Sequence, residues 1–186
     1  PLLDTLSGET PRTENRAETS KPVVGLLPGS RDKEVERLLP EMLGAAAILK
    51  RKMPGVEFLL SLASSVKRGL LEEILSIHGR GLECQVETGD VREIFSKSEL
   101  LVAASGTVTM EAAMAGIPTV IIYKVSPISY WLGRALVQVD HIGLANLIAG
   151  REIVPELIQQ DVTPQNIADT VLRLLGDPTA LAECKE

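Results

Sequence analysis

Ser105, Gly106 and Thr107 follow an apolar run, Leu100–Ala104, and open a segment of helical period in which Glu111 falls one turn further on. These residue types suit the binding of an anion. Glycine lets a ligand come close to the backbone. The first amides of a helix have no partner within it and attract negative charge. A serine or threonine at that point either caps the helix or offers a hydroxyl. Glu111 is surrounded by Met110, Ala112, Ala113, Met114 and Ala115, which leave almost no polar face. A buried ionised carboxylate without a partner is costly. The adjacent hydroxyls of a ribose would satisfy it in a bidentate way, as acidic residues do in dinucleotide folds. The plainer accounts are a helix cap with no ligand and a solvated surface glutamate.

A second loop has the same character. Leu27-Pro28-Gly29-Ser30-Arg31 joins a short apolar run to a long helical stretch. Gly29 and Ser30 again precede a helix start, and the planar guanidinium of Arg31 matches a phosphate. A tight turn with a surface arginine is the plainer account. Neither loop matches G-x-G-x-x-G or the P-loop pattern, so each is weak alone and the two together carry the argument. Asn146, within LANLIAG, sits among apolar residues and either meets a ligand or satisfies nearby backbone. His78 falls at a helix C-terminus, where an imidazolium is favoured for structural reasons. His141 follows Asp140 in a loop and reads as structural. Ser129–Leu132, with Trp131, reads as a core helix. No Ser-His-Asp set and no paired carboxylates can be placed by spacing.

The elements that must position these loops alternate. Val23–Leu27, Val56–Leu62, Leu82–Val86, Leu100–Ala104 and Thr119–Tyr123 read as buried strands. Asp32–Met53, Lys67–His78, a short helix capped by Asp90 through Lys97, Val108–Ala115, Pro127–Val137 and Pro164–Leu175 read as helices. The pattern predicts an α/β fold, a doubly wound parallel sheet covered by helices on both faces. In such sheets ligands bind beyond the carboxyl ends of the strands. Thr5–Lys21 is polar and without period, so residues 1–21 are expected to be a linker and residues 22–186 the domain.

Composition narrows the function. The chain has 186 residues with 45% hydrophobic and 24% charged side chains, enough for one domain with a real core. Its formal charge of −6 argues against nucleic acid as a partner. Cys84 and Cys184 lie far apart and there are two histidines, so no metal spacing is present and a reducing cytoplasm fits best. No leader or spanning run is expected. The chain opens on Pro1, which suggests a piece of something longer.

Three blocks carry a family likeness. LLPGSRDKEVERLLPEML, then ASGTVTMEAAMAGIPTVIIYK, then LANLIAGREIVPELIQQDVTPQNIA resemble, in order and spacing, the lipid-A-disaccharide synthases. The likeness spans roughly Pro22 to Leu175, and PLLD resembles a segment near the family's domain junction. The middle block is shared with many nucleotide-sugar transferases; the outer two are more specific. One departure is LSLASS at Leu60–Ser65, where the family pattern leads one to expect a proline-containing turn.

The resemblance implies the C-terminal, Rossmann-like half of a GT-B glycosyltransferase. That enzyme moves 2,3-diacylglucosamine from UDP to 2,3-diacylglucosamine 1-phosphate. It implies that Gly29, Ser30, Arg31, Ser105, Gly106 and Thr107 lie against the diphosphate, that Glu111 takes the ribose hydroxyls, and that Asn146 is needed at the substrate site. It further implies a general base in an N-terminal acceptor domain absent from this chain, no metal or cofactor, and no transfer by this part alone. The acylated substrates point to a cytoplasmic enzyme in peripheral contact with the inner membrane. The alternatives are another GT-B UDP-sugar transferase, a UDP-N-acetylglucosamine epimerase, or a nucleotide-binding interaction module without catalysis.

Overall fold

The computed structural model describes residues 21–126 and 143–177. The strands are β1 (Val23–Leu27), β2 (Glu57–Ser61), β3 (Gln85–Glu87), β4 (Leu100–Ala104), β5 (Thr119–Tyr123) and β6 (Glu156–Ile158). All pair in parallel, in the order β3-β2-β1-β4-β5-β6. The helices are α1 (Asp32–Lys52), α2 (Arg68–His78), α3 (Val91–Lys97), α4 (Thr107–Met114), α5 (Leu144–Ala149) and α6 (Pro164–Gly176), with one 3-10 turn at Gln159–Asp161.

The sheet is buried on both faces because its central strands are apolar at every position. In β4, Leu100, Val102 and Ala104 join the cluster under α1, α2 and α6, while Leu101 and Ala103 join the one under α3 and α4. Period-2 alternation therefore sorts hydrophobic residues between two layers rather than between core and water. This is the doubly wound α/β sheet that the strand and helix pattern predicts. Helix α1 runs unbroken through Pro40, whose ring removes one backbone donor without ending the helix. Its Gly44 lies so close to α6 that an added Cβ would stand 2.8 Å from Pro164 Cγ.

The edges differ from the expected boundaries. The third strand is Gln85–Glu87, not Leu82–Val86: Leu59, Leu60 and Ser61 of β2 pair with Gln85, Val86 and Glu87. Leu82 and Cys84 pack against the core before the ladder begins. Their apolar character marks the approach to the sheet, not the hydrogen-bonded segment. Burial pushes the Cys84 thiol up to about 12. Strand β6 and helix α5 have too few residues for a period to register. At the exit of β6, Gln159 adopts a left-handed φ of 53°, held by its side-chain amide, which accepts from Val125 N at 2.7 Å and donates to Val125 O at 3.3 Å. The helix expected at Pro127–Val137 lies outside the described residues, as do Trp131, His141 and Cys184.

Gly25, in the middle of β1, shows how tightly α3 sits on the sheet. An added Cβ would lie 2.5 Å from Leu101 Cδ2 and 2.9 Å from both Ile94 Cγ2 and Ser98 Oγ. Gly25→Ala should destabilise the domain by ~1–3 kcal/mol, the usual cost of overpacking. Chemical denaturation would register this as a lower midpoint at constant slope; an unchanged midpoint would show that α3 can shift freely.

Candidate functional site

Strand order reverses between β1 and β4: from β1 the chain proceeds to β2 and β3 on one side, and from β4 to β5 and β6 on the other. The loops leaving the carboxyl ends of these two strands must diverge, and a cleft opens between them. It measures about 450 Å³. Leu27 and Ala104, the last residues of β1 and β4, form its floor, and Gly29, Ser30 and Arg31 face Ser105, Gly106 and Thr107 across it. Six of the eight site residues read from the sequence thus line one space.

The N-termini of the helices around it are treated unequally. Asp90 caps α3 by accepting from Arg92 N at 2.9 Å, and Thr163 caps α6 by accepting from Asn166 N at 3.2 Å. Lys67 N, at the start of α2, donates to Asp32 Oδ1 at 3.2 Å, and Gly143 N, at the start of α5, donates to Glu156 Oε1 at 3.1 Å. Helices α1 and α4 begin at the two loops that face one another across the cleft, and neither has a side-chain cap. Helices α2 and α5 have no side-chain cap on a first-turn amide either, so what sets α1 and α4 apart is that their uncapped starts follow the two loops that converge on the cleft. Unpaired first-turn amides at converging helix ends make a site for an anion.

The two glycines serve differently. Gly29 has a φ of +106°, which side chains rarely adopt, and an added Cβ would stand 2.5 Å from Glu34 Oε2. Gly106 has extended backbone, φ 174° and ψ −169°, open to any residue, and an added Cβ there meets nothing within 4 Å. The fold has a use for glycine at 29 and none at 106.

Ser30 is anchored from the next loop, since Ser65 Oγ donates to Ser30 O at 2.6 Å. Ser65 belongs to LSLASS, and Ser61 and Ala63 of the same stretch line the cleft, so the departure from the expected turn still builds part of the wall. Apolar surface comes from Val91, Val108 and Leu144. The sequence pattern does not single out these five residues: their packing depends on which strands become neighbours. Glu34 also lines the cleft, and its i,i+3 spacing from Arg31 is a signal that could have flagged it.

The other two sequence-derived residues lie apart. Glu111 is exposed on α4, one turn past Thr107 and outside the cleft lining. It is near enough to Arg92 to add to the field that raises that guanidinium's pKa, after the larger contributions from Asp90. Asn146 is fully buried, and its amide is used within the chain. Nδ2 donates to Val154 O at 2.7 Å and Glu156 Oε1 at 2.6 Å, and Oδ1 accepts from Ile153 N at 2.8 Å and Val154 N at 3.0 Å. Two donors and two acceptor sites exhaust what an asparagine amide has.

Among the described residues no three His, Cys, Asp or Glu side chains stand close enough to hold a metal, and no helix is long and apolar enough to cross a membrane.

Known proteins match this architecture and this chain. S. aureus MnaA, solved with UDP, superposes with a TM-score of 0.59 at 15% identity, covering 90% of this chain and 40% of that one. The spinosyn rhamnosyltransferase SpnG gives 0.60 at 19% identity, covering 91% and 41%. At such identities the likeness is one of fold. Lipid-A-disaccharide synthase of Geobacter metallireducens is 42% identical over 182 residues, which are 96% of this chain and 47% of that protein, so the chain spans about half the relative's length. The family model described as lipid-A-disaccharide synthetase matches residues 1–184. With the same blocks lying on the strand ends and helix starts that build the cleft, the chain belongs to the lipid-A-disaccharide synthetase family.

Proposed function

We propose that the cleft between β1 and β4 binds the UDP part of a UDP-sugar. The chain is then the donor-holding portion of an enzyme that transfers 2,3-diacylglucosamine from UDP to 2,3-diacylglucosamine 1-phosphate. One observation carries the reading: two uncapped helix N-termini and a glycine that the fold does not require meet at the topological switch point of a parallel sheet. A fold neighbour solved with UDP supports it.

In this arrangement the diphosphate lies between Gly29-Ser30-Arg31 and Ser105-Gly106-Thr107. Glu111, at the outer end of α4's first turns, takes the ribose hydroxyls. Val91 supplies an apolar wall for the base. As the glycosidic bond to UDP breaks, negative charge grows on the leaving phosphate. Fixed amides, two helix ends and the Arg31 guanidinium stabilise that charge more than they stabilise the ground state. The acceptor hydroxyl must lose a proton to a base. Of the titratable side chains in the described lining, Glu34 is bound to Arg31; the family resemblance implies a base in an N-terminal acceptor domain, and we assign it there. Acylated substrates place the enzyme at the cytoplasmic face of the inner membrane, which co-sedimentation of the full-length protein with phospholipid vesicles would test.

The direct test is a calorimetric titration of the chain with UDP, beside Arg31→Ala and Glu111→Ala. Saturable binding is expected, weakened in each variant by ~1–3 kcal/mol, the usual cost of removing a hydrogen bond that involves a charged group. A folded chain that binds no UDP would sink the reading.

A further inference from the structure

We infer that Glu34 is the resting partner of Arg31, and that its carboxylate must release the guanidinium when a diphosphate enters, so that Glu34 limits the affinity of the site. This rests on the nucleotide reading above and concerns how that site is held in check. Arg31 Nη1 donates to Glu34 Oε1 at 2.8 Å, with the arginine side chain 80% exposed and the glutamate 30%. The other carboxylate oxygen, Oε2, lies 2.5 Å from where a Cβ on Gly29 would be. The carboxylate is therefore folded back over the Gly29 loop, beside the backbone an incoming phosphate would approach.

Charge in the cleft makes this consequential. Arg31 and Glu34 are the charged residues among its described lining, so the guanidinium's charge is cancelled by its neighbour. The other acid in the first turn of α1 behaves differently. Asp32 turns away, accepting from Lys67 N at 3.2 Å and facing Lys67 Nζ at 3.5 Å, and so serves the start of α2. Glu34 alone of the two occupies the anion's side of the loop. A diphosphate and a carboxylate cannot both sit against one guanidinium without repulsion, so one must leave. The resident pair is weak enough to exchange, because an exposed ion pair shifts an equilibrium only about one- to fivefold, whereas a phosphate offers Arg31 paired hydrogen bonds.

The test is UDP titration of the parent chain, Glu34→Gln, Glu36→Gln and Arg31→Gln, and of Arg31→Gln combined with Glu34→Gln, each checked for folding by circular dichroism. Glu36 is exposed on the same helix and gives the same change in net charge. Glu34→Gln should bind UDP about three- to tenfold more tightly than the parent, as loss of the competing pair and of like-charge repulsion predicts. Glu36→Gln should stay within about twofold of the parent, and the gain from Glu34→Gln should vanish in the Arg31→Gln background, as a double-mutant cycle requires of a coupled pair. Equal or weaker binding by Glu34→Gln, an equal gain in Glu36→Gln, or a gain that survives without Arg31 would each overturn the inference while leaving the nucleotide site standing. Absence of UDP binding by both the parent and Glu34→Gln, with both folded, would overturn the nucleotide reading and this inference together.

Discussion

Gly106→Ala should leave the fold intact and lower UDP affinity at least tenfold. The first half follows from local geometry. The extended backbone at residue 106 suits alanine, and an added Cβ meets nothing within 4 Å. Alanine also has fewer unfolded conformations to lose, so stability should hold or rise by ~0.4–1 kcal/mol. The second half follows from the proposed ligand. Gly106 stands at the uncapped start of α4 and lines the cleft, where a phosphate must reach the first amides to within hydrogen-bond distance. A methyl group there keeps it out, and each charged hydrogen bond forfeited is worth ~1.5–3 kcal/mol. Thermal unfolding and UDP titration on one preparation separate the two effects. A stable variant that binds UDP like the parent would remove the diphosphate from this loop.

Asn146→Ala should do the reverse and strike the fold first. Its amide reaches Val154 O, Glu156 Oε1, Ile153 N and Val154 N from a side chain with no exposure. Alanine strands these partners, and leaving buried polar groups unsatisfied costs ~1–3 kcal/mol each, less whatever water recovers. A loss of about 3 kcal/mol is expected, a large share of the ~5–15 kcal/mol that holds a typical domain. Asn146→Asp should be no milder, because it removes both N–H donors and sets a carboxylate oxygen against Val154 O and Glu156. Denaturant unfolding measures both variants, and a loss below about 0.5 kcal/mol, the range of ordinary surface changes, would show that these bonds are replaced easily. Any effect on nucleotide binding would act through position. Asn146 and Glu156 tie α5 to the segment entering β6, and Leu144 at the head of α5 lines the cleft. The residues alone left Asn146 between a ligand contact and a bond to nearby backbone, and its amide is spent on Ile153, Val154 and Glu156 within the chain.

Much of the fold is legible along the chain because local rules govern it. Short apolar runs mark β1, β4 and β5, interrupted only by Gly25 and led in β5 by Thr119, and Asp90 and Thr163 begin helices by capping them with their own side chains. Glycine ahead of a helix start at 29 and 106 marks both halves of the cleft, since what suits an anion there is a property of a few consecutive residues. The edges are harder to read. Strands β3 and β6 have three residues each, and pairing with one neighbour rather than composition defines them.

The sequence alone determined the alternation of strands and helices, the two glycine loops and, through its blocks, the family. Only the tertiary structure decided that those loops belong to one site, because that depends on β1 and β4 becoming neighbours while β2 and β3 pass to one side. It also turned Asn146 inward and laid Glu34 in the cleft beside Arg31. Burial and ion pairing of a side chain depend on what packs against it, and those partners come from distant parts of the chain or from a helix face that period alone leaves undirected.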